Sequence, residues 1–153
     1  EVKECDWSSD VCSSDLQEAA EETCSLSGSE RILLVDDERQ LTDFTTLALE
    51  QFGYCVTAFN GSREALEAFR SHSRQFDLVI TDLTMPHLTG LELARGIRQL
   101  RGDMPILLIT GFTEDAAWEK AKESGIHDCL LKPVIISDLL KAVRRALDSR
   151  QEA

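Results

Sequence analysis

From residue 31 onward, short apolar runs alternate with segments whose apolar residues recur at helical spacing. Apolar runs of this length suit buried strands, and the segments between them suit amphipathic helices. Strands are predicted over residues 31–35, 54–59, 77–81, 105–110 and 129–131. Because strands and helices alternate along the chain, the pattern predicts an α/β fold with a parallel sheet covered by helices on both faces.

Residues 1–30 differ from the rest of the chain in composition. They are rich in Ser, Glu, Asp and Cys and have no sustained apolar period, which is typical of a disordered tail. Residues 6–16 read DWSSDVCSSDL, which resembles a translated sequencing-library adapter. We interpret them as an artefact, the alternative being a natural linker, and residues 17–30 as linker. Residues 31–150 then form one predicted domain.

The net charge and the length of the apolar runs exclude some classes of partner. The 153-residue chain has a formal net charge of −12, so direct binding to nucleic acid phosphates is not expected. No apolar run approaches the roughly 20 residues that cross a bilayer, and we expect no membrane contact.

The five cysteines of the chain fit no zinc spacing. Cys55 and Cys129 fall in predicted strands, where a thiol behaves as a small hydrophobe. We expect a reduced, cytoplasmic protein.

Polar residues stand where four of the predicted strands end. Asp36 and Asp37 follow the first strand, and Asp82 follows the third. Thr110 ends the fourth strand and Lys132 follows the fifth. Since ligands bind outside the carboxyl ends of the strands in an open parallel sheet, these side chains are predicted to converge on one site.

The residue types at these positions indicate phosphoryl chemistry with a metal ion. Crowded carboxylates repel one another unless a cation intervenes, and Mg²⁺ prefers such oxygen ligands. An aspartate can attack phosphorus and form an acyl phosphate. The ammonium of Lys132 and the hydroxyl of Thr110 could then neutralise the phosphoryl oxygens.

Four motifs carry a resemblance to a known family. They are ILLVDDE at residues 32–38, DLVITDLTMPHLTG at 77–90, ITG at 109–111 and LLKP at 130–133. With these motifs, residues 31–148 resemble the receiver (response regulator) family of two-component systems. The resemblance implies a flavodoxin-like (βα)5 three-layer sandwich whose parallel strands lie in the order 2-1-3-4-5.

The same resemblance implies a role for each site residue. Asp82 would be the phosphoacceptor, and Thr110 and Lys132 would contact the phosphoryl group. The Lys132–Pro133 peptide bond would be cis. The implied ligands of a Mg²⁺ or Mn²⁺ ion are Asp36, partly through water, Asp37, Asp82 and the backbone carbonyl of Thr84.

Two positions depart from the family pattern. Phe112 lies two residues after Thr110, where polar residues are common in the family. Cys129 stands where the family usually has Tyr, Phe or His as a switch residue. A thiol cannot swing and shield the site as an aromatic ring does, so the usual coupling between Thr110 and this position is in doubt.

The predicted function is to accept a phosphoryl group from a partner histidine kinase or histidine phosphotransfer domain and to relay the signal by conformational change. Such a domain promotes only its own phosphorylation and dephosphorylation. The expected parent is a hybrid sensor histidine kinase with a C-terminal receiver, and the alternative is a stand-alone single-domain regulator. A Mg²⁺-dependent aspartyl-phosphate phosphatase is a remote alternative, because Thr84 occupies the place of its second aspartate. A flavin-binding domain is disfavoured because Asp36, Asp37 and Glu38 would repel the flavin phosphate.

Overall fold

The computed structural model describes residues 28–111 and 115–152. Most of the predicted tail, residues 1–27, lies outside this described part of the chain. None of the described helices is both long enough and apolar enough to span a membrane.

Strands and helices alternate along the chain. The strands are β1 (Arg31–Val35), β2 (Cys55–Phe59), β3 (Leu78–Asp82), β4 (Ile106–Thr110) and β5 (Asp128–Leu131). The helices are α1 (Arg39–Gln51), α2 (Ser62–Ser71), α3 (Gly90–Leu100), α4 (Asp115–Glu123) and α5 (Ile136–Glu152), with a 3₁₀ turn at Ser73–Gln75. Each predicted strand overlaps an observed strand, and their ends differ by no more than one residue.

The five strands form one parallel sheet in the order β2-β1-β3-β4-β5, which confirms the predicted topology. The central strand β3 pairs with β1 on one side and β4 on the other, and all of its residues are buried. In this register Thr81 lies opposite Val35, and Asp82 lies opposite Ile109. The carboxyl ends of β1, β3 and β4 therefore meet at one edge of the sheet.

Alternate side chains of the strands pack into two apolar clusters, one on each face of the sheet. The cluster beneath α2, α3 and α4 includes Leu33, Val35, Ala65, Phe69, Val79, Leu93, Ile97, Ile106, Leu108 and Ala121. The cluster beneath α1 and α5 includes Ile32, Leu34, Leu49, Leu78, Ile80, Leu107, Leu139, Leu140, Val143 and Leu147. The alternation of side chains along each strand thus produces the predicted three-layer sandwich.

Helix α3 has a defined start that fixes the chain after β3. The Thr89 hydroxyl accepts a hydrogen bond from Glu92 N at 3.3 Å, and the Glu92 carboxylate accepts one from Thr89 N at 2.9 Å. This capping box satisfies two backbone groups that the first helical turn leaves unpaired. The next residue, Gly90, donates its N–H to Leu83 O at 2.9 Å, which closes the loop against the end of β3.

Helix α1 differs from the expectation drawn from its apolar period. Leu41 and Phe44, apolar residues three positions apart in this helix, are 37% and 55% exposed. Thr42 and Leu49 are the buried residues of α1. The helix therefore exposes an apolar surface to solvent, whereas the sequence pattern alone places that surface in the core.

The expectation that Cys55 behaves as a small buried hydrophobe is wrong. Cys55 is exposed, whereas Cys129 is half-buried. The reason is topological, because Cys55 is the first residue of β2, an edge strand with a single strand neighbour. Edge strands present part of their length to solvent.

Replacing Gly90 with Ala should lower the free energy of unfolding by about 1–3 kcal/mol, the usual cost of overpacking. A Cβ at Gly90 would overlap the Asp82 carbonyl oxygen and lie 2.9 Å from Leu108 Cδ1. At Gly102 the nearest atom to such a Cβ is Arg98 O at 3.8 Å, so Gly102→Ala is the matched control. Urea unfolding of both variants tests this, and an equal effect at the two positions would contradict it.

Candidate functional site

Three carboxylates meet at the carboxyl edge of the sheet. Asp36 is the first residue after β1 and Asp82 is the last residue of β3, and they are 5% and 4% exposed. Asp37 is exposed. One ligand oxygen from each residue lies within 4.8 Å of the others. We call these three residues the acidic cluster, and the structure brings them together as the sequence predicts.

Asp36 is held by backbone contacts on both sides. Its N–H donates to Phe59 O at 3.2 Å, and its Oδ1 accepts from Glu38 N at 2.9 Å. Burial raises the pKa of Asp36 to about 6, and the nearby charge of Asp82 adds to this rise. The hydrogen bond from Glu38 and the charge of Lys132 oppose it. Asp36 is therefore a carboxylate that is costly to ionise without a cation.

Lys132 provides the positive charge nearest to Asp82 among the described residues. Its Nζ donates to Asp82 Oδ2 at 3.1 Å and lies 4.0 Å from Glu38 Oε1. Burial lowers the pKa of Lys132, but the hydrogen bond and the charge of Asp82 outweigh it, and the pKa lies above its ordinary value. Lys132 N donates to Thr110 O at 2.9 Å, and the Lys132–Pro133 peptide bond is cis.

The other predicted site residues differ in exposure. Thr110 ends β4 and is 3% exposed, while Thr84 is exposed in the loop between β3 and α3. Cys129 lies in β5 opposite Leu108 and packs at the edge of the cluster beneath α2, α3 and α4. Burial, and secondarily the charge of Asp128, raises the pKa of its thiol. Cys129 is therefore a protonated, weakly polar side chain at neutral pH.

The ligand atoms of the acidic cluster suit a hard divalent cation. All are carboxylate oxygens, which Mg²⁺ and Mn²⁺ accept readily, and no imidazole or thiolate belongs to the group. Two of the three carboxylates are buried, so an added cation would relieve a repulsion that water cannot screen fully.

Three residues around the site were not predicted from the sequence to be site residues. Glu38 lies near Lys132. Its position directly after Asp36 and Asp37 in the sequence is the feature from which it could have been predicted. The Asn60 side chain donates hydrogen bonds to the Asp36 carbonyl oxygen and to the Thr42 hydroxyl, and the Thr42 hydroxyl donates one to Arg39 O. The sequence around them offers no signal, because an Asn before Gly suggests only a turn.

A largely apolar cavity of about 520 Å³ opens beside the acidic cluster. Leu41, Phe44 and Thr45 of α1 form one wall, and the other wall comes from the chain between β5 and α5. The full lining is Asp36, Leu41, Phe44, Thr45, Ile109, Gly111, Lys132, Pro133, Val134 and Ile136. Leu41 and Phe44, two exposed apolar residues of α1, therefore border the same site that holds Lys132.

The sheet topology together with these side chains defines the class of protein: a flavodoxin-like domain with carboxylates and a lysine at the carboxyl edge of its sheet. The family model for the response regulator receiver domain matches residues 32–144. The chain belongs to the response regulator receiver family.

Similar proteins cover the chain to different extents. The response regulator receiver protein CpdR of Brucella abortus is 35% identical over 117 residues, which are 76% of this chain and 96% of CpdR. The C4-dicarboxylate transport regulatory protein DctD of Rhizobium meliloti is 32% identical over 82% of this chain, but only 27% of DctD is covered. A receiver domain structure from Clostridium thermocellum is 30% identical with a TM-score of 0.77, covering 80% of this chain and 98% of that one.

Replacing Asp36 with Asn should stabilise the metal-free chain at neutral pH by about 2–3 kcal/mol. The folded-state pKa of Asp36, about 6, exceeds the ordinary value of 3.8. The folded chain therefore loses stability as pH rises through this window, and an amide at this position avoids that loss.

Urea unfolding in the presence of a chelator measures the effect. The gain from Asp36→Asn should shrink to about 1 kcal/mol at about pH 4.5, where the folded carboxyl is mostly protonated. Asp43→Asn, on the exposed side of α1, is the control and should change little. A gain that does not vary with pH would contradict the assignment.

Proposed function

We propose that residues 31–150 form a receiver domain that accepts a phosphoryl group on Asp82 and relays the signal by a change in conformation. The observation that carries the proposal is the pairing of Asp82 with Lys132 at 3.1 Å inside the acidic cluster. A carboxylate buried at the end of a central strand, beside one ammonium and two further carboxylates, suits an attack on phosphorus.

The proposed reaction transfers the group from a phosphohistidine. An Asp82 carboxylate oxygen forms a bond to phosphorus while the bond between phosphorus and the imidazole nitrogen breaks. The electron pair of that bond returns to the imidazole, which leaves as the neutral base after taking up a proton. Lys132 pairs with Asp82 before transfer, and in this proposal its ammonium and the Thr110 hydroxyl bind phosphoryl oxygens afterwards.

We further propose that the acidic cluster holds Mg²⁺ or Mn²⁺, with Asp36, Asp37, Asp82 and the Thr84 carbonyl as ligands. Bound there, the ion would supply positive charge that offsets the carboxylates and the phosphoryl oxygens. The all-oxygen donor set and the burial of two members support this proposal.

Cys129 affects how the signal would leave the site. Receivers usually have an aromatic ring at this place, whereas the thiol here is small, half-buried and in its neutral form. We propose that the relay depends on Thr110 and on the chain around Lys132, and not on a ring that turns inward.

The proposed partner is a histidine kinase or a histidine phosphotransfer domain. The apolar wall formed by Leu41 and Phe44, in the cavity that Asp36 and Lys132 also line, suits the side of a helix that carries a phosphohistidine. Ile135, which is 60% exposed in the chain between β5 and α5, adds to the apolar surface near Lys132. An apolar contact beside the reacting residue would position the donor without adding charge to an acidic site.

Two parents remain as proposals. A hybrid sensor histidine kinase would bring its own donor histidine close to Asp82. The match to CpdR, which covers 96% of that protein, supports a stand-alone regulator instead. Sequencing the parent gene upstream of residue 17 would distinguish them, because a kinase domain preceding residue 31 belongs only to the first.

Asp82→Asn should abolish covalent phosphorylation by acetyl phosphate in the presence of Mg²⁺. The amide oxygen is a poor nucleophile, and the change keeps the size of the side chain. Intact-protein mass spectrometry would show the loss of the phosphoryl adduct. Asp138→Asn, an exposed carboxylate in the first turn of α5, is the control and should be labelled fully. Labelling of the Asp82 variant at the wild-type level would exclude this residue as the acceptor.

Phe44→Glu should slow transfer from a phosphorylated histidine phosphotransfer protein by about tenfold or more, as expected when a central apolar contact is lost. Its rate with acetyl phosphate should stay near that of the wild type, because a small donor needs no docking surface. Leu100→Glu is the matched control, since Leu100 is also exposed, at 42%, but lies on α3 across the sheet. Equal losses in both variants, or an equal loss with both donors, would count against the docking surface.

A further inference from the structure

The backbone of Asp36 is fixed by a side chain from outside its own loop. Asn60, the first residue after β2, donates from Nδ2 to the Asp36 carbonyl oxygen at 3.0 Å. The same nitrogen donates to the Thr42 hydroxyl at 2.9 Å. Both hydrogens of one amide group are therefore used, and the orientation of the amide follows from the acceptors that it faces.

Thr42 completes the connection to helix α1. Thr42 is 2% exposed, and its hydroxyl donates to Arg39 O at 2.7 Å. A hydroxyl that donates in this way keeps lone pairs to accept the bond from Asn60. We call residues 36–38 the acidic loop. A continuous chain of hydrogen bonds runs from the Asp36 carbonyl through Asn60 and Thr42 to the first turn of α1, and so connects the two ends of this loop.

We infer that Asn60, acting with Thr42, is a positioning residue for the acidic cluster, an inference that rests on the proposed metal-dependent function. The carboxylates of Asp36, Asp37 and Asp82 lie close together, and their mutual repulsion opposes the approach of the acidic loop to β3. A hydrogen bond to the Asp36 carbonyl restrains the main chain that carries both Asp36 and Asp37. The ligands are then held near their binding positions before a cation arrives.

An amide suits position 60 because it carries no net charge. A lysine or arginine at position 60 would pair with the carboxylates and compete with the cation, as Lys132 already pairs with Asp82. An amide donates two hydrogen bonds without net charge, so the full negative charge of the cluster stays available to the ion. Asn60 is itself exposed and contributes little to the apolar core.

The test is the affinity of the intact chain for Mg²⁺ alone, measured by NMR titration at neutral pH. Asn60→Ala and Thr42→Val should each raise the dissociation constant by about tenfold, as is usual when a partner of metal ligands is removed. Thr42→Ser keeps the hydroxyl and should bind nearly as the wild type does. Because the two residues act through one chain of bonds, the double variant should lose no more than either single variant.

A second readout separates positioning from a general structural role. If Asn60 only stabilises the fold, Asn60→Ala lowers the thermal midpoint but leaves the Mg²⁺ affinity of the folded chain unchanged. If it positions the ligands, phosphorylation by acetyl phosphate recovers to nearly the wild-type rate once Mg²⁺ is saturating. Gln75→Ala, an exposed amide in the 3₁₀ turn, is the control and should match the wild type in every measurement.

The outcomes also separate this inference from the proposed function. Unchanged Mg²⁺ affinity in Asn60→Ala and Thr42→Val, with binding lost in Asp37→Ala, would overturn the positioning role alone. A wild-type chain that binds no Mg²⁺ would overturn the proposed metal site and the positioning role together.

Discussion

Repulsion among Asp36, Asp37 and Asp82 governs the arrangement of the residues around them. Two of these carboxylates are buried at the edge of the sheet, where water screens their charges poorly. Lys132 neutralises part of this charge through Asp82, and the N–H of Glu38 stabilises the ionised form of Asp36. The site nevertheless retains an excess of negative charge, and the raised pKa of Asp36 reflects first its burial and then the nearby charge of Asp82.

The sheet brings these charges together because it is parallel. In a parallel sheet every strand ends on the same side, so side chains far apart in sequence converge there. Asp36 follows β1 and Asp82 ends the neighbouring strand β3, while Lys132 follows β5 and pairs with Asp82. The two apolar clusters hold the strands in this register, since a shift by one residue would turn every buried side chain to the opposite face.

Much of this arrangement could be predicted from the sequence, for physical reasons. The apolar runs are short and separated by helical periods, so the parallel sheet and the convergence of Asp36, Asp82 and Lys132 followed from general rules of α/β folds. The strand order came only from the resemblance to the receiver family. The exposure of Phe44 and Cys55 could not be predicted in this way. An apolar period does not show whether a helix face meets the core or borders a cavity, and an apolar run does not show which strand lies at an edge.

The complete burial of β3 has a mechanical consequence. Asp82 stands at the end of a strand that is bonded on both sides and packed on both faces, so its backbone has little room to yield. A strand confined in this way acts as a rigid support, and any displacement caused by new charge on Asp82 must be taken up elsewhere. The chain segments that follow β1 and β5 are less enclosed, since Asp37 and Ile135 are exposed there. The stiffness of the sheet thus directs movement outward, to the surface that other molecules can reach.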